Sequence, residues 1–190
     1  MSIGILVILG IAAFFLYTCY VSLVKKKNRV REALSGIDVQ LQKRNDLVPN
    51  ILTIANKFME HEKELLTEVA ALRARANQDY DKTDSTAVKE HLQTAGQLSS
   101  SLGKIMIAVE AYPELKSDTT MMQAQQTYNE VEAQIAAARR FYNSTVTELN
   151  NAVEIFPGSL MAPMAGAKLM PFFEASEEAR KAVDAREYLN

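Results

Sequence analysis

Residues 3–24 read IGILVILGIAAFFLYTCYVSLV, and the next seven, 25–31, read KKKNRVR. The first stretch has no charged side chain, and only Thr18 and Ser22 are clearly polar. As a helix it measures about 33 Å, against a hydrocarbon core of about 30 Å. The second stretch holds five cations: Lys25, Lys26, Lys27, Arg29 and Arg31. A cleaved signal peptide fits poorly, because no Lys or Arg precedes the apolar run and its exit offers no small-x-small site. A lipoprotein signal ending at Cys19 fits no better, since Tyr17 and Thr18 stand where small residues belong. A buried core helix rarely stays apolar on every face for six turns. The expected element is an uncleaved transmembrane helix over 1–24. Lys and Arg resist translocation and favour anionic cytoplasmic lipid, so the N-terminus is expected outside and residues 25–190 in the cytoplasm.

The rest of the chain has a different character. Of 190 residues, 21 are Lys or Arg and 23 are Asp or Glu. Five of the cations sit in 25–31, which leaves everything beyond acidic. A nucleic-acid partner is therefore not expected, since that class needs a basic stripe. One Cys excludes an intrachain disulfide, and two His exclude a His-rich metal site. Seven Gly, five Pro and no Trp are too few punctuating residues for a β-sandwich.

Apolar residues recur at helical spacing. Val30, Leu34, Ile37 and Leu41 form one stripe. Ile51, Ala55, Phe58, Glu62, Leu65, Val69, Leu72 and Ala76 continue it in alternating steps of four and three. Val88, Leu92, Ala95, Leu102, Ile105, Val109 and Tyr112 form another, and Met121, Tyr128, Ile135, Tyr142, Leu149 and Phe156 recur at sevens. Asn77–Asp84 is a polar break with Asp84 or Ser85 as an N-cap. Tyr112-Pro113 ends the next helix, Ser117 or Asp118 caps the one after, and Pro157-Gly158 closes it. Pro49 marks a kink or break near 45–49, or the first turn of a new helix. The expected fold is all-α: three to four long helices of about 27–35 residues in an antiparallel up-and-down bundle over 25–155. Residues 156–190 form a third region. Its Pro-, Met- and Phe-rich part, 156–174, either wraps the bundle or offers an exposed apolar contact surface. Its charged end, 175–190, reads as a short helix or a frayed one.

No catalytic constellation stands out. His61-Glu62 lacks the second His of a zincin helix, neither His follows a Glu at the di-iron spacing, and Cys19 has no His partner. No catalytic, cofactor or metal residue is expected. One carboxylate falls on an apolar seam: Glu62, between Phe58 and Leu65. Glu132 and Arg139 flank Ile135, and Arg44 and Asp46 follow Leu41. A buried carboxylate needs a partner. The expectation is a polar network joining Glu62 to Arg139 or Arg140, either as a register device or as a ligand or partner site.

Residues 37–50, IDVQLQKRNDLVPN, resemble the signature of the LemA family. Further pieces agree in order: His61-Glu62, 71–75 (ALRAR), 111–116 (AYPELK), Glu132, 138–143 (ARRFYN), Asn150, Phe156-Pro157 and 172–174 (FFE). Lys43 and Asn45 depart from the Arg and His usual there. The resemblance implies a bacterial inner-membrane protein with one N-terminal span, the N-terminus outside and a long helical bundle in the cytoplasm. It brings no enzymatic activity, cofactor or catalytic residue. Arg44, Asp46, Pro49, Asn50, Glu62, Arg139, Tyr142 and Asn143 carry over as signature positions. Genes of the family often neighbour membrane proteases or envelope quality-control proteins. The function expected is thus a non-enzymatic anchored scaffold or adaptor that self-assembles or joins an envelope membrane protein. The alternatives are a membrane-binding or membrane-shaping protein using 25–31 and the Met/Phe segment, and an enzyme using Glu62, Asp46 and Arg139.

Overall fold

The computed structural model describes residues 2–174; the charged tail expected at 175–190 lies outside them. Among the described residues the regular structure is entirely helical. Helix α1, Ser2–Ala55, is one unbroken element of 54 residues. Helix α2, Lys63–Ala76, runs back beside its far end, and α3, Ser85–Ala108, runs out again. A one-turn α4, Pro113–Lys116, turns the chain into α5, Thr119–Glu154, which descends beside α1 as far as the level of Cys19 and Leu23. The short α6, Gly158–Ala165, docks where the end of α5 meets α1, near Lys27. Four helices thus alternate in direction, as the patterning predicts.

The helix starts obey their caps. Asp84 accepts from the Thr86 N–H, and Asp118 accepts from the Met121 N–H at 2.9 Å. Helix α6 ends on Gly166 at φ 56°, where the Ala167 N–H reaches the Ala162 carbonyl and the Gly166 N–H that of Pro163. This doubled closure demands the left-handed conformation that glycine adopts without strain. Gly158 has another reason: a Cβ there would lie 1.9 Å from the Ala152 carbonyl oxygen, so only glycine lets α6 start against α5.

Two apolar cores fill the bundle. The proximal one, nearer the N-terminal end of α1, holds Leu23, Val30, Leu34, Ile37 and Leu41 of α1, Val88 to Ala95 of α3, Ile135 to Leu149 of α5, and α6. The distal one holds Val48 to Met59, the α2 stripe, Leu98 to Val109, and Met121 and Tyr128. Every stripe residue named above between Val30 and Leu41 and between Met121 and Leu149 is buried.

Three expectations need correction. Helix α1 does not break at Pro49; it runs through it. The reversal comes later, at 56–62, where Met59 is 1% exposed and plugs the turn in the distal core. Apolar burial closes this turn without glycine or proline, so the sequence carries no punctuation there. The stripe accordingly shifts, with Leu66 buried where Leu65 was expected. Phe156, the last of the sevens, is 76% exposed, because α5 has already ended at Glu154.

Pro49 is tolerated for a specific reason. Proline cannot donate to the carbonyl four residues back, which leaves that of Asn45 without its helical partner. Arg73 of α2 supplies the missing donor, Nε to the Asn45 oxygen at 2.9 Å, while Asn45 Nδ2 donates to Asn77 Oδ1 at 2.8 Å. The defect in α1 becomes the socket that seats α2. Arg73→Met should cost about 1–3 kcal/mol by stranding that carbonyl. Pro49→Ala should then stabilise the Arg73→Met protein more than it stabilises the parent, because the restored N–H takes the vacant oxygen. Denaturation midpoints of the four proteins in detergent check this, and equal gains in both backgrounds would refute it.

Candidate functional site

Between the two cores lies a polar layer. Its centre is Arg44, which stands on the core stripe itself: Leu34, Ile37, Leu41, Arg44, Val48, Ile51 and Ala55 follow one another in steps of three and four. The guanidinium is 1% exposed. Nη1 pairs with Glu132 Oε1 at 3.3 Å, Nη2 donates to the Ala95 carbonyl at 3.0 Å, and Ser99 Oγ donates to Glu132 Oε2 at 3.0 Å. Arg44 Nε and Asn45 Oδ1 are buried without a partner. Burial lowers the Arg44 pKa, and the Glu132 carboxylate opposes that shift. Tyr128, whose hydroxyl reaches the Ser99 carbonyl at 3.4 Å, is pushed up to about 12, first by burial and then by Glu132.

A second cluster ties the 77–84 loop to α1. Asp38 accepts from the Tyr80 hydroxyl at 2.9 Å and pairs with Lys82 at 2.5 Å. His91 Nε2 lies 3.4 Å from the same carboxylate, with its ring stacked on Tyr80 at 4.0 Å. Burial acts to raise the Asp38 pKa, but the donors His91, Lys82 and Tyr80 outweigh it and hold the group below its usual value. Burial, and then Asp38, pushes the Tyr80 pKa well up.

A third set clasps the extended strap 166–174. The Asn150 amide pairs with both the N–H and the C=O of Met170, the Asn143 amide does the same with Phe173, and Tyr142 donates to the Pro171 carbonyl at 2.9 Å. The spacing explains the fit. Seven helical residues rise about 10.5 Å, and three extended residues span about 10 Å. Two asparagines a heptad apart therefore act as a strand edge for the strap. Arg139 covers the Phe173 ring at 5.7 Å. Beside residues 171–174 of the strap a cleft of about 870 Å³ lies against helices α2 and α3, with Glu68, Lys89 and Phe172 on its walls.

The sequence reading brought the right residue types to the wrong partners. Glu62 does not meet Arg139 or Arg140. It ends a turn of 3₁₀ helix at the far end of the bundle, half-exposed, while Arg139 lies beside the proximal core. The reversal at 56–62 takes Glu62 off the α1 stripe, and the buried charge on that stripe is Arg44 paired with Glu132. Arg140 and Asn50 are exposed, and Asp46 faces out, accepting from Gln42 at 2.8 Å. Among the flanking cations, Lys26 and Arg29 pair with Glu148, Lys27 donates to the Ala165 carbonyl at 2.7 Å, and Lys25 and Arg31 are exposed. Asp38, Arg73, Tyr80, His91 and Ser99 were missed. Arg44, already singled out, stands a step of three after Leu41, and Ser99 fills the gap between Ala95 and Leu102 in the α3 stripe; Arg73 and His91 only neighbour the stripe residues Leu72 and Leu92, and Tyr80 lies in the polar break.

A LemA family profile matches residues 33–186. The chain belongs to the LemA family. It is also similar to magnetosome protein MamQ of Magnetospirillum gryphiswaldense, 24% identical over 177 residues, covering 83% of this chain and 64% of MamQ. The LemA pieces singled out above fall on all three polar sets: Arg44 and Glu132 on the layer, Asn143 and Asn150 on the strap, and Asp38 in the loop tether. Among the described residues no group of three or more His, Cys, Asp or Glu gathers to hold a metal ion.

Two outcomes follow. Glu132→Gln leaves a buried guanidinium with a weakened partner and should cost about 3 kcal/mol, whereas Arg44→Met combined with Glu132→Gln should recover most of that. Additive losses in chemical denaturation would show the pair uncoupled. Asp38, with its folded pKa depressed, contributes stability above its unfolded pKa of about 4, lost as pH falls through the folded value. Asp38→Asn should therefore flatten the acid limb of the stability profile and leave the alkaline side parallel. An unchanged acid limb would contradict the tether.

Proposed function

We propose that this LemA protein is a single-span, membrane-anchored scaffold of the bacterial inner membrane, with no enzymatic activity, that assembles laterally with itself or with an envelope membrane protein. The observation that carries the reading is the continuity of α1. The helix is long and apolar enough to cross a membrane, its side chains are exposed from Ile3 to Tyr17, and the same helix enters the bundle core at Leu23. Anchor and bundle are therefore one element with no linker between them.

The five cations of 25–31 support an orientation with the N-terminus outside and the bundle in the cytoplasm. Confinement to two dimensions raises effective concentration, so modest lateral contacts suffice for assembly. The placement of the relative MamQ at the magnetosome, as its name states, is in keeping with such a structural role. Several polar groups support it too: the Arg44–Glu132 pair, the Arg73 bond to the Asn45 carbonyl and the asparagine clasps tie helix to helix and strap to α5.

On right-side-out vesicles, protease added outside should leave the bundle intact, and on inverted vesicles it should remove it. Crosslinking in cells should give multimers or a defined envelope partner. Digestion of the bundle from outside would overturn the orientation. A chain that stays monomeric at every concentration, without a crosslinked partner, would overturn the scaffold.

A further inference from the structure

The bundle begins inside the apolar run of α1. Cys19 and Leu23 already pack against the proximal core, together with Ala152 and Val153 of α5. What remains free is Ile3–Thr18, 16 residues, or about 24 Å of helix against a hydrocarbon core of about 30 Å. The remaining layer of that core, roughly 6 Å at the level of residues 19–24, is open to a further apolar surface.

The bundle supplies it. Glu148 pairs with Lys26, and α5 continues six residues further toward the N-terminal end of α1, a descent of about 9 Å. The corner between α5 and α6 therefore lies level with about Tyr20, below the cationic cluster. Together with α6, which climbs from it, the corner presents Ile155, Phe156, Leu160 and Met164, each more than 60% exposed, with Met164 uppermost, beside the Ala165 that Lys27 holds. Residues 155–167 contain no ionisable side chain; the acid Glu154 stands just before them and Lys168 just after. Above the corner stand the exposed Lys25 and Arg29, and Lys27 ties α6 to α1 at the same level through the Ala165 carbonyl. Apolar residues below a belt of cations are the pattern of an interfacial element in an anionic leaflet.

We propose that the α5–α6 corner, Ile155, Phe156, Leu160 and Met164, is a second membrane contact that inserts into the acyl-headgroup boundary of the leaflet the bundle faces. This rests on the single-span reading above and deepens it. With two points of contact, span and corner, the bundle has a fixed tilt and a fixed face toward the lipid. Its occupant is the bilayer itself, because the corner is continuous with the span and its depth follows from the length of α1.

The chain has no Trp, so a single introduced indole reports its own surroundings. Full-length protein carrying Phe156→Trp, or Met164→Trp as a second position, is reconstituted in anionic vesicles whose acyl chains are brominated near the headgroup. Leu9→Trp monitors the span, and Ile107→Trp, exposed at the distal end of α3, serves as the dry-side reference. The corner indoles should be quenched about twofold or more by the shallow bromines, and Ile107→Trp should be unaffected. Quenching at Leu9→Trp by deep bromines without quenching at the corner would overturn the proposal and leave the span standing. No quenching at any position would overturn both. A blue-shifted corner emission that bromine leaves untouched and that reverts when protein is diluted in the vesicle would put a second copy on the corner, and would likewise overturn the proposal.

Discussion

Helix α1 must satisfy two solvents, and the rest of the chain is arranged around that constraint. Ten large apolar side chains between Ile3 and Leu16 are exposed. Held in water, they would cost on the order of 20 kcal/mol, more than the 5–15 kcal/mol by which a whole domain is stable. The same helix, with no break, then supplies one wall of both bundle cores. Wherever its first third resides, the bundle must sit directly at that boundary.

The bundle is held in register by polar groups placed where the apolar pattern is interrupted. Arg44 interrupts the α1 stripe and finds Glu132 and the Ala95 carbonyl, while Ser99 donates to Glu132, fixing α1, α3 and α5 at one level. Pro49 frees the Asn45 carbonyl one turn on, and Arg73 takes it, fixing α2. Asn143 and Asn150 hold the strap at two points. Each is a polar group in an apolar helix that particular neighbours satisfy. Apolar stripes permit slippage by a heptad; these partners do not.

Much of this was legible in the residues. The apolar run with its basic flank, the stripes of α3 and α5, the caps at Asp84 and Asp118, and the LemA signature all read directly. The turn at 56–62 was not legible, because Met59 closes it by burial, and burial is a property of the assembled core. That single omission moved the expected buried charge from Arg44 to Glu62 and its partner from Glu132 to Arg139. The role of Pro49 was equally hidden, since a freed carbonyl announces itself only when a donor from another helix is seen on it. The polar clasp on the strap depends on matching a helical rise to an extended one, which requires knowing that 166–174 is extended.

The central claim is that anchor and bundle share one rigid helix. Its most direct test is the distance between spin labels at two exposed positions of α1, Phe14→Cys and Val39→Cys, in a Cys19→Ser background in lipid nanodiscs. A continuous helix gives one narrow distribution, with backbone separation about 37 Å for the 25 residues between them. A broad distribution, or one centred well below that, would mean a hinge at the membrane surface and would contradict the account.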